Sequence, residues 1–141
     1  MLVVVETPKW SFTKLEFTSE GYKKALTSPI PTPFNYGFIE GTLGEDGMPL
    51  DVVILGKKHP PGSKLDLKII GKVGFIDDGR VDDKFIATLD GNRHEMAIRI
   101  FFTVYTVAKL VMGLLKLRRW TKNKFTGVEW FDVEVSHVDA L

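Results

Sequence analysis

The chain contains no cysteine and only three histidines among its 141 residues. The first absence excludes disulfides, thiolate zinc sites and cysteine nucleophiles, and it fits a reducing, cytoplasmic setting. His59, His94 and His137 stand far apart, at no ligand spacing, and read as structural or solvent-facing. Net charge is nearly absent as well: at +1 the chain has no global pull toward nucleic acid or an anionic membrane. There is no Gly-rich phosphate loop of the Walker or Rossmann kind, and no serine in a nucleophile elbow. No basic stretch precedes the apolar run Leu2-Val3-Val4-Val5, so it reads as a first strand and not as a signal peptide. Repeats, low-complexity segments and linkers are also missing. With 44% apolar and 26% charged residues, the expectation is one globular domain over residues 1–141 with a real core.

The first two-thirds alternates short apolar segments with turn signals. Strands are expected at Leu2–Glu6, Lys14–Thr18, Phe38–Glu40, Val52–Leu55, Lys64–Phe75 and Phe85–Leu89. Turns containing Gly or Pro divide them, including Ser19-Glu20-Gly21, Glu45-Asp46-Gly47, Pro60-Pro61-Gly62 and Asp78-Gly79. Many short strands favour a small barrel or sandwich. Asn92 is placed to cap a helix from about Glu95 to about Arg119, whose stripe Ile98, Phe102, Tyr105, Val111 and Leu115 is expected to pack on the barrel. Gly113 would let another element come close. The segment Gly127–Val135 alternates again and reads as a closing strand. The run from Ile100 to Leu115 carries one charge, Lys109. It falls short of the roughly 20 apolar residues of a spanning helix, so a buried or interface helix is expected, and no membrane. The basic segment Lys116 to Lys124, with Trp120, resembles a single-strand tracking surface, but reads better as a solvated helix end, so no nucleic acid is expected.

Two acidic loops carry the chemistry. Glu45-Asp46-Gly47-Met48-Pro49-Leu50-Asp51 leads straight into the apolar Val52-Val53-Ile54-Leu55, and Asp77-Asp78-Gly79-Arg80-Val81-Asp82-Asp83-Lys84 lies between two further strands. Magnesium takes hard oxygen ligands and keeps several waters while gripping phosphate. Paired metals activate water and stabilise a leaving oxygen, and Lys, Arg or Tyr must neutralise the remaining phosphate charge. Asp46, Asp51, Asp77 and Asp82, with Glu6 and Glu16 near strands, are candidate acids. Lys14, Lys24, Lys84, Tyr36 and Tyr105 are candidate phosphate donors. Taken singly, each loop is also what an ordinary Asp-Gly turn looks like.

Over roughly residues 3–106 the ordered series of motifs resembles the soluble family I inorganic pyrophosphatases. The family's Asp-x-Asp-Pro-x-Asp-Val appears as Asp46-Gly47-Met48-Pro49-Leu50-Asp51-Val52. It is preceded by Asn35-Tyr36-Gly37-Phe38-Ile39 and followed by Ile76-Asp77-Asp78-Gly79 and Asp82-Asp83-Lys84-Phe85-Ile86-Ala87. Val5-Glu6-Thr7-Pro8, Lys14-Leu15-Glu16 and Phe101-Phe102-Thr103-Val104-Tyr105 match early and helical elements of the family. The resemblance implies a five-stranded, oligonucleotide-binding-type β-barrel with a packed C-terminal helix. It also implies magnesium-dependent hydrolysis of pyrophosphate to two phosphates by a cytoplasmic homo-oligomer. By the same resemblance Asp46, Asp51 and Asp82 would hold the tightest metal, and Asp77 and Glu6 would help with others. Lys14, Lys24, Tyr36, Lys84 and Tyr105 would bind substrate, and Asp46, Asp51 and Tyr36 would form the catalytic set. Glu16 would stand one layer behind the direct ligands.

The departures fall inside these motifs. Met48 replaces the middle acid that in the family helps to orient or deprotonate the attacking water, and Met neither takes a proton nor suits a hard cation. Lys24 stands for an Arg and loses its two-pronged grip; Thr32 stands for a Tyr, and Thr106 for the Lys that follows Phe-Phe-x-x-Tyr. Two readings follow: a pyrophosphatase slowed by Met48, or a homologue that binds phosphate, a nucleotide or a protein partner without turnover.

Overall fold

The structure, a computed structural model, describes residues 1–11, 14–18, 21–25, 31–44 and 47–131, with the backbone alone for 14–18 and 21–25. The strands are β1 (Leu2–Thr7), β2 (Lys14–Thr18), β3 (Gly21–Ala25), β4 (Asn35–Ile39), β5 (Asp51–Leu55), β6 (Lys64–Asp66), β7 (Ile69–Asp77), β8 (Arg80–Val81), β9 (Lys84–Thr88) and β10 (Lys124–Trp130). Helix α1 (Glu95–Met112) runs into a π-helical turn, Gly113–Leu117. The main sheet has the order β10-β7-β9-β5-β4-β1-β6, with β8 on β7, while β2 and β3 form a hairpin of their own. Among the described residues it is mostly β with one helix, late in the chain, an oligonucleotide-binding-type barrel whose five middle strands are β7, β9, β5, β4 and β1.

Two periodicities build the core. Strand side chains alternate between faces. Val53 and Leu55 of β5, Val73 and Phe75 of β7 and Ile86 of β9 therefore share one cluster with Phe34, Ile98, Phe101 and Phe102. Val3, Val5, Ile39, Val52, Ile54 and Ala87 form another on the opposite faces. Because β5 is buried on both faces, it reads in sequence as an unbroken apolar run. Phe34 meets Phe101 edge-on at 5.1 Å and Phe101 meets Phe102 edge-on at 5.0 Å; such pairs add about 0.5–1.5 kcal/mol each beyond burial.

The predicted Lys64–Phe75 strand is in fact β6 and β7, interrupted at Leu67-Lys68, and the hairpin strand β3 and the two-residue β8 were not expected. The helix begins at Glu95, as the sequence predicts, but Asn92 is not its cap. Asn92 is used in a turn: its N–H donates to Asp90 Oδ1 at 2.9 Å and its carbonyl accepts from Thr88 Oγ1 at 3.0 Å. His94, left-handed at φ 48, takes the N-cap position, and its carbonyl accepts the Ile98 N–H at 3.1 Å. The α-helix also stops at Met112, before the π turn.

The expected stripe is half right. Ile98 and Phe102 are buried and Tyr105 is partly so, but Val111 is 48% and Leu115 75% exposed. The other inward residue is Phe101, and Val111 and Leu115 lie on the far side of the helix. From Glu95 to Leu117 the helix spans 23 residues, long and apolar enough to cross a membrane by length and composition, longer than the run read from sequence. Gly113 does allow a close approach: a Cβ there would stand 2.6 Å from Thr121 Oγ1. The closing strand begins at Lys124, before Gly127, and pairs with β7; residues beyond 131 lie outside the described ones.

Candidate active site

The same alternation that builds the aromatic cluster carries charged groups to one end of it. Asp51 shares a row with Val53 and Leu55, Asp77 with Phe75 and Val73, Lys84 with Ile86, and Tyr36 with Phe34. The parallel pairing of β5 with β9 sets Val52 against Phe85, so the residues just before them, Asp51 and Lys84, start their strands side by side. On α1, Tyr105 and Lys109 extend the inward face of Phe101 and Phe102 by helical spacing. The site is thus the polar continuation of the core, framed by strand starts, one strand end and a helix.

At its centre the buried Lys84 Nζ donates to Asp51 Oδ2 at 2.9 Å and pairs with Asp82 Oδ2 at 2.7 Å. It also lies 5.8 Å from the Tyr36 ring centroid. Burial works against the charge on Lys84, but Tyr36, Asp51 and Asp82 outweigh it and hold the ammonium well above its ordinary range. Burial pushes the Tyr36 phenol well above its ordinary value, against the pull of Lys84. Burial likewise raises Tyr105, against Lys109 and Lys84. The site therefore holds a firm cation at Lys84 and protonated phenols at Tyr36 and Tyr105, which are hydrogen-bond donors toward an anion.

Asp77 stands on the helix side, where Lys109 Nζ approaches its Oδ2 at 3.3 Å. Of the adjacent acids Asp82 and Asp83, only Asp82 meets Lys84. Asp83 braces the sheet, accepting the Phe75 N–H at 3.0 Å and pairing with Lys72 at 3.5 Å. Next to them a cavity of about 650 Å³ is lined by Pro49, Asp51, Arg80 and Asp82 among others. A smaller one of about 330 Å³ borders Asp77 and Lys109.

Of the residues singled out in sequence, Tyr36, Asp51, Asp82, Lys84, Asp77 and Tyr105 converge here. Glu6 is buried in β1. Asp46, and the side chains of Lys14, Glu16 and Lys24, lie outside the described residues. Met48 is 60% exposed, and its carbonyl closes the loop by accepting the Gly44 N–H at 2.7 Å. In the sequence Lys109 stands out only as the charge interrupting an apolar run; its position four residues after Tyr105 is the signal that it faces the site.

A divalent metal, which the resemblance implies, can be tested against this donor set. Among the described residues no three acids or histidines form a ready cage. Asp51 and Asp82, however, already bring two carboxylates onto one cation, the Lys84 ammonium. Hard oxygens in that number suit a cation that keeps most of its waters, so the residues fit.

A family model described as inorganic pyrophosphatase matches residues 3–128. The chain is 40% identical over 98 residues to the inorganic pyrophosphatase of Corynebacterium efficiens, covering 66% of this chain and 62% of that one. To the soluble inorganic pyrophosphatase of Hordeum vulgare it is 42% identical over 127 residues, covering 86% of this chain and 58% of that one. The chain thus spans about three-fifths of the length of these curated relatives. The crystal structure of an inorganic pyrophosphatase from Neisseria gonorrhoeae superposes with a TM-score of 0.75 at 26% identity, over 98% of this chain and 86% of that one. The Thermus thermophilus enzyme, at 24% identity, shares the fold with a TM-score of 0.78 over 99% and 87%. With its motifs in family order and its core and charged residues in one frame, the chain belongs to the inorganic pyrophosphatase family.

Proposed function

We propose that this chain, as one domain over residues 1–141, hydrolyses inorganic pyrophosphate to two phosphates with magnesium as its divalent metal. The observation that carries the reading is Lys84 held between Asp51 and Asp82 beside Tyr36, in a chain of this family. Asp51 and Asp82, with Asp46, Asp77 and Glu6, would hold the metal. When bound, the metal supplies an acidified water and neutralises phosphate oxygens.

The chain's own residues do the rest. Lys84 and the phenols of Tyr36 and Tyr105 bind and orient the substrate, with Lys14 and Lys24 as further cations. Water adds to one phosphorus and gives up a proton, through solvent, to a phosphate oxygen, and the bridging oxygen leaves with its bonding pair as the second phosphate. The donors around the site offset the charge that builds on that oxygen. Met48 cannot take the proton of the attacking water, so turnover is slower than with a carboxylate there.

Phosphate release from pyrophosphate with magnesium, compared between wild type and Asp51→Asn, tests the reading; equal release from both overturns it. Met48 also favours a second reading, a homologue that binds phosphate, a nucleotide or a protein partner without turnover. Magnesium-dependent phosphate binding with no release from pyrophosphate would establish it.

The cytoplasm is the proposed compartment, without membrane or nucleic acid as a partner. The inward face of α1 is tied into the core through Ile98, Phe101 and Phe102, which argues against a spanning role. Its outward face leaves Ile100, Val104, Val107 and Val111 exposed by 57, 48, 57 and 48%, in alternating steps of four and three residues. An apolar seam of that spacing is what a helix presents to another helix, so self-association through this face is part of the proposal.

A further inference from the structure

We infer that Lys109 is a substrate-binding cation: it grips a terminal phosphate oxygen of pyrophosphate, and Asp77 holds it ready until substrate arrives. The inference rests on the pyrophosphatase reading for its substrate, and on the following geometry for the residue.

Lys109 is the cation that α1 turns toward the site. Arg99, the other basic residue of α1, is spent on Glu95 at 3.2 Å on the exposed flank. Lys109 instead follows Tyr105 by one turn, its Nζ lies 6.0 Å from the Tyr105 ring centroid, and its side chain is 28% exposed. Its stem is covered while its charged head reaches the Asp77 carboxylate, as long basic side chains do at the margin of an apolar core.

Its partnership is looser than that of Lys84. Lys84 Nζ is enclosed by two carboxylates at 2.7 and 2.9 Å, whereas Lys109 meets one at 3.3 Å. An ammonium has three donors, so Lys109 retains capacity for an incoming oxygen. The neighbouring position adds nothing charged: Thr106 turns its hydroxyl back to the Phe102 carbonyl at 2.7 Å. The cavity of about 330 Å³ beside Lys109 and Asp77 leaves room for a phosphate group. Charge gives the arrangement its direction. Among the described residues the cations paired with Asp51, Asp77 and Asp82 are Lys84 and Lys109, with Lys116 lining the cavity beside Asp77 as well, and a polyanion held by a cation at Asp77 would draw Lys109 from that carboxylate to itself.

Calorimetry on the full chain separates this role from simple bracing of Asp77. Lys109→Met is titrated with inorganic phosphate in the presence of magnesium, and separately with magnesium alone. The expected result is phosphate affinity lowered about 10-fold or more, the loss of one charge-assisted hydrogen bond, with magnesium affinity undiminished because Asp77 is released. Lys109→Arg should recover most of the phosphate affinity. Unchanged phosphate affinity, no phosphate binding by the wild type, or a joint fall in phosphate and magnesium affinity would each overturn the role. Thermal melting shows whether the variant is folded, and this partly exposed pair contributes little stability. Turnover of wild type against Asp51→Asn stands apart from these titrations. Its failure removes the pyrophosphatase reading, while the phosphate titration still decides whether Lys109 binds phosphate.

Discussion

Gly37 passes Val4 with no room for a side chain: a Cβ on Gly37 would stand 1.8 Å from the Val4 carbonyl oxygen. The contact lies where β4 pairs antiparallel with β1, one residue from Tyr36. Backbone cannot swing aside as a side-chain tip can. Gly37→Ala is expected to cost more than about 3 kcal/mol, beyond the usual range for overpacking. Urea denaturation measures it, and a loss below about 1 kcal/mol would show that the two strands separate easily.

Met48→Asp is expected to raise phosphate release from pyrophosphate by about 100-fold or more, the ordinary worth of a positioned general base. The position is 60% exposed, so stability should change by no more than about 0.5 kcal/mol. Parallel assays of wild type and variant give the answer. Equal rates would mean that another group already takes the proton, and that Met48 is not the weak point.

Lys84→Met leaves Asp51 and Asp82 facing each other beside Tyr36. Removing one partner of a buried pair costs about 3–5 kcal/mol; both acids here are about one-third exposed, which brings the expectation down to about 2–3 kcal/mol. Because the folded Lys84 ammonium is held above its unfolded value, its contribution is complete below about pH 10.4 and is lost only as pH rises through the folded value. Denaturation midpoints of wild type and variant should therefore stay separated from pH 7 to pH 10, and convergence within that range would contradict the pairing.

Asp90 anchors the turn before α1. The Asn92 backbone N–H, then His94 and Thr88, hold its carboxyl down at about 2. A depressed acid stabilises above its unfolded value of about 3.9, and that contribution is lost as pH falls through about 2. Carboxyl titration by NMR should find the Asp90 midpoint near 2, and a midpoint near 3.9 would show that the turn is not formed in solution.

Val104→Glu combined with Val107→Glu places charges on the outward seam of α1 without touching Ile98, Phe101 or Phe102. The assembled species should break down to single chains in analytical ultracentrifugation at unchanged melting temperature. A wild type that is already a single chain at micromolar concentration would remove the seam as an interface.

Much of the site was legible because two simple periods order it. Asp51, two residues before Val53, belongs to the row that β5 buries under the helix, and a motif that names Asp51 implicitly names its direction. Lys84 and Asp77 follow the same rule from Ile86 and Phe75. The helix was harder. Both of its faces are apolar, so hydrophobicity alone could not say that Phe101 points in while Val111 and Leu115 point out. The same ambiguity hid Lys109, which looked like an interruption of the run and not an extension of its inner face. Asn92 looked like a cap by residue type, but Asp90 had already recruited its backbone into a turn. The two-residue β8 is too short to show any period.

The parallel pairing of β5 with β9 has a kinetic side. It joins segments whose paired charges, Asp51 and Lys84, are 33 residues apart, and parallel partners cannot be joined by a tight hairpin. Contacts of such separation form late, after loop closure has been overcome. On dilution from denaturant the local β2–β3 hairpin and helix α1 can regain their shape first, while the grip of Lys84 on both acids waits for β5 and β9 to meet. On the proposed function, recovered phosphate affinity would report that the whole sheet has assembled, and a half-folded chain with native helix content would be silent toward phosphate.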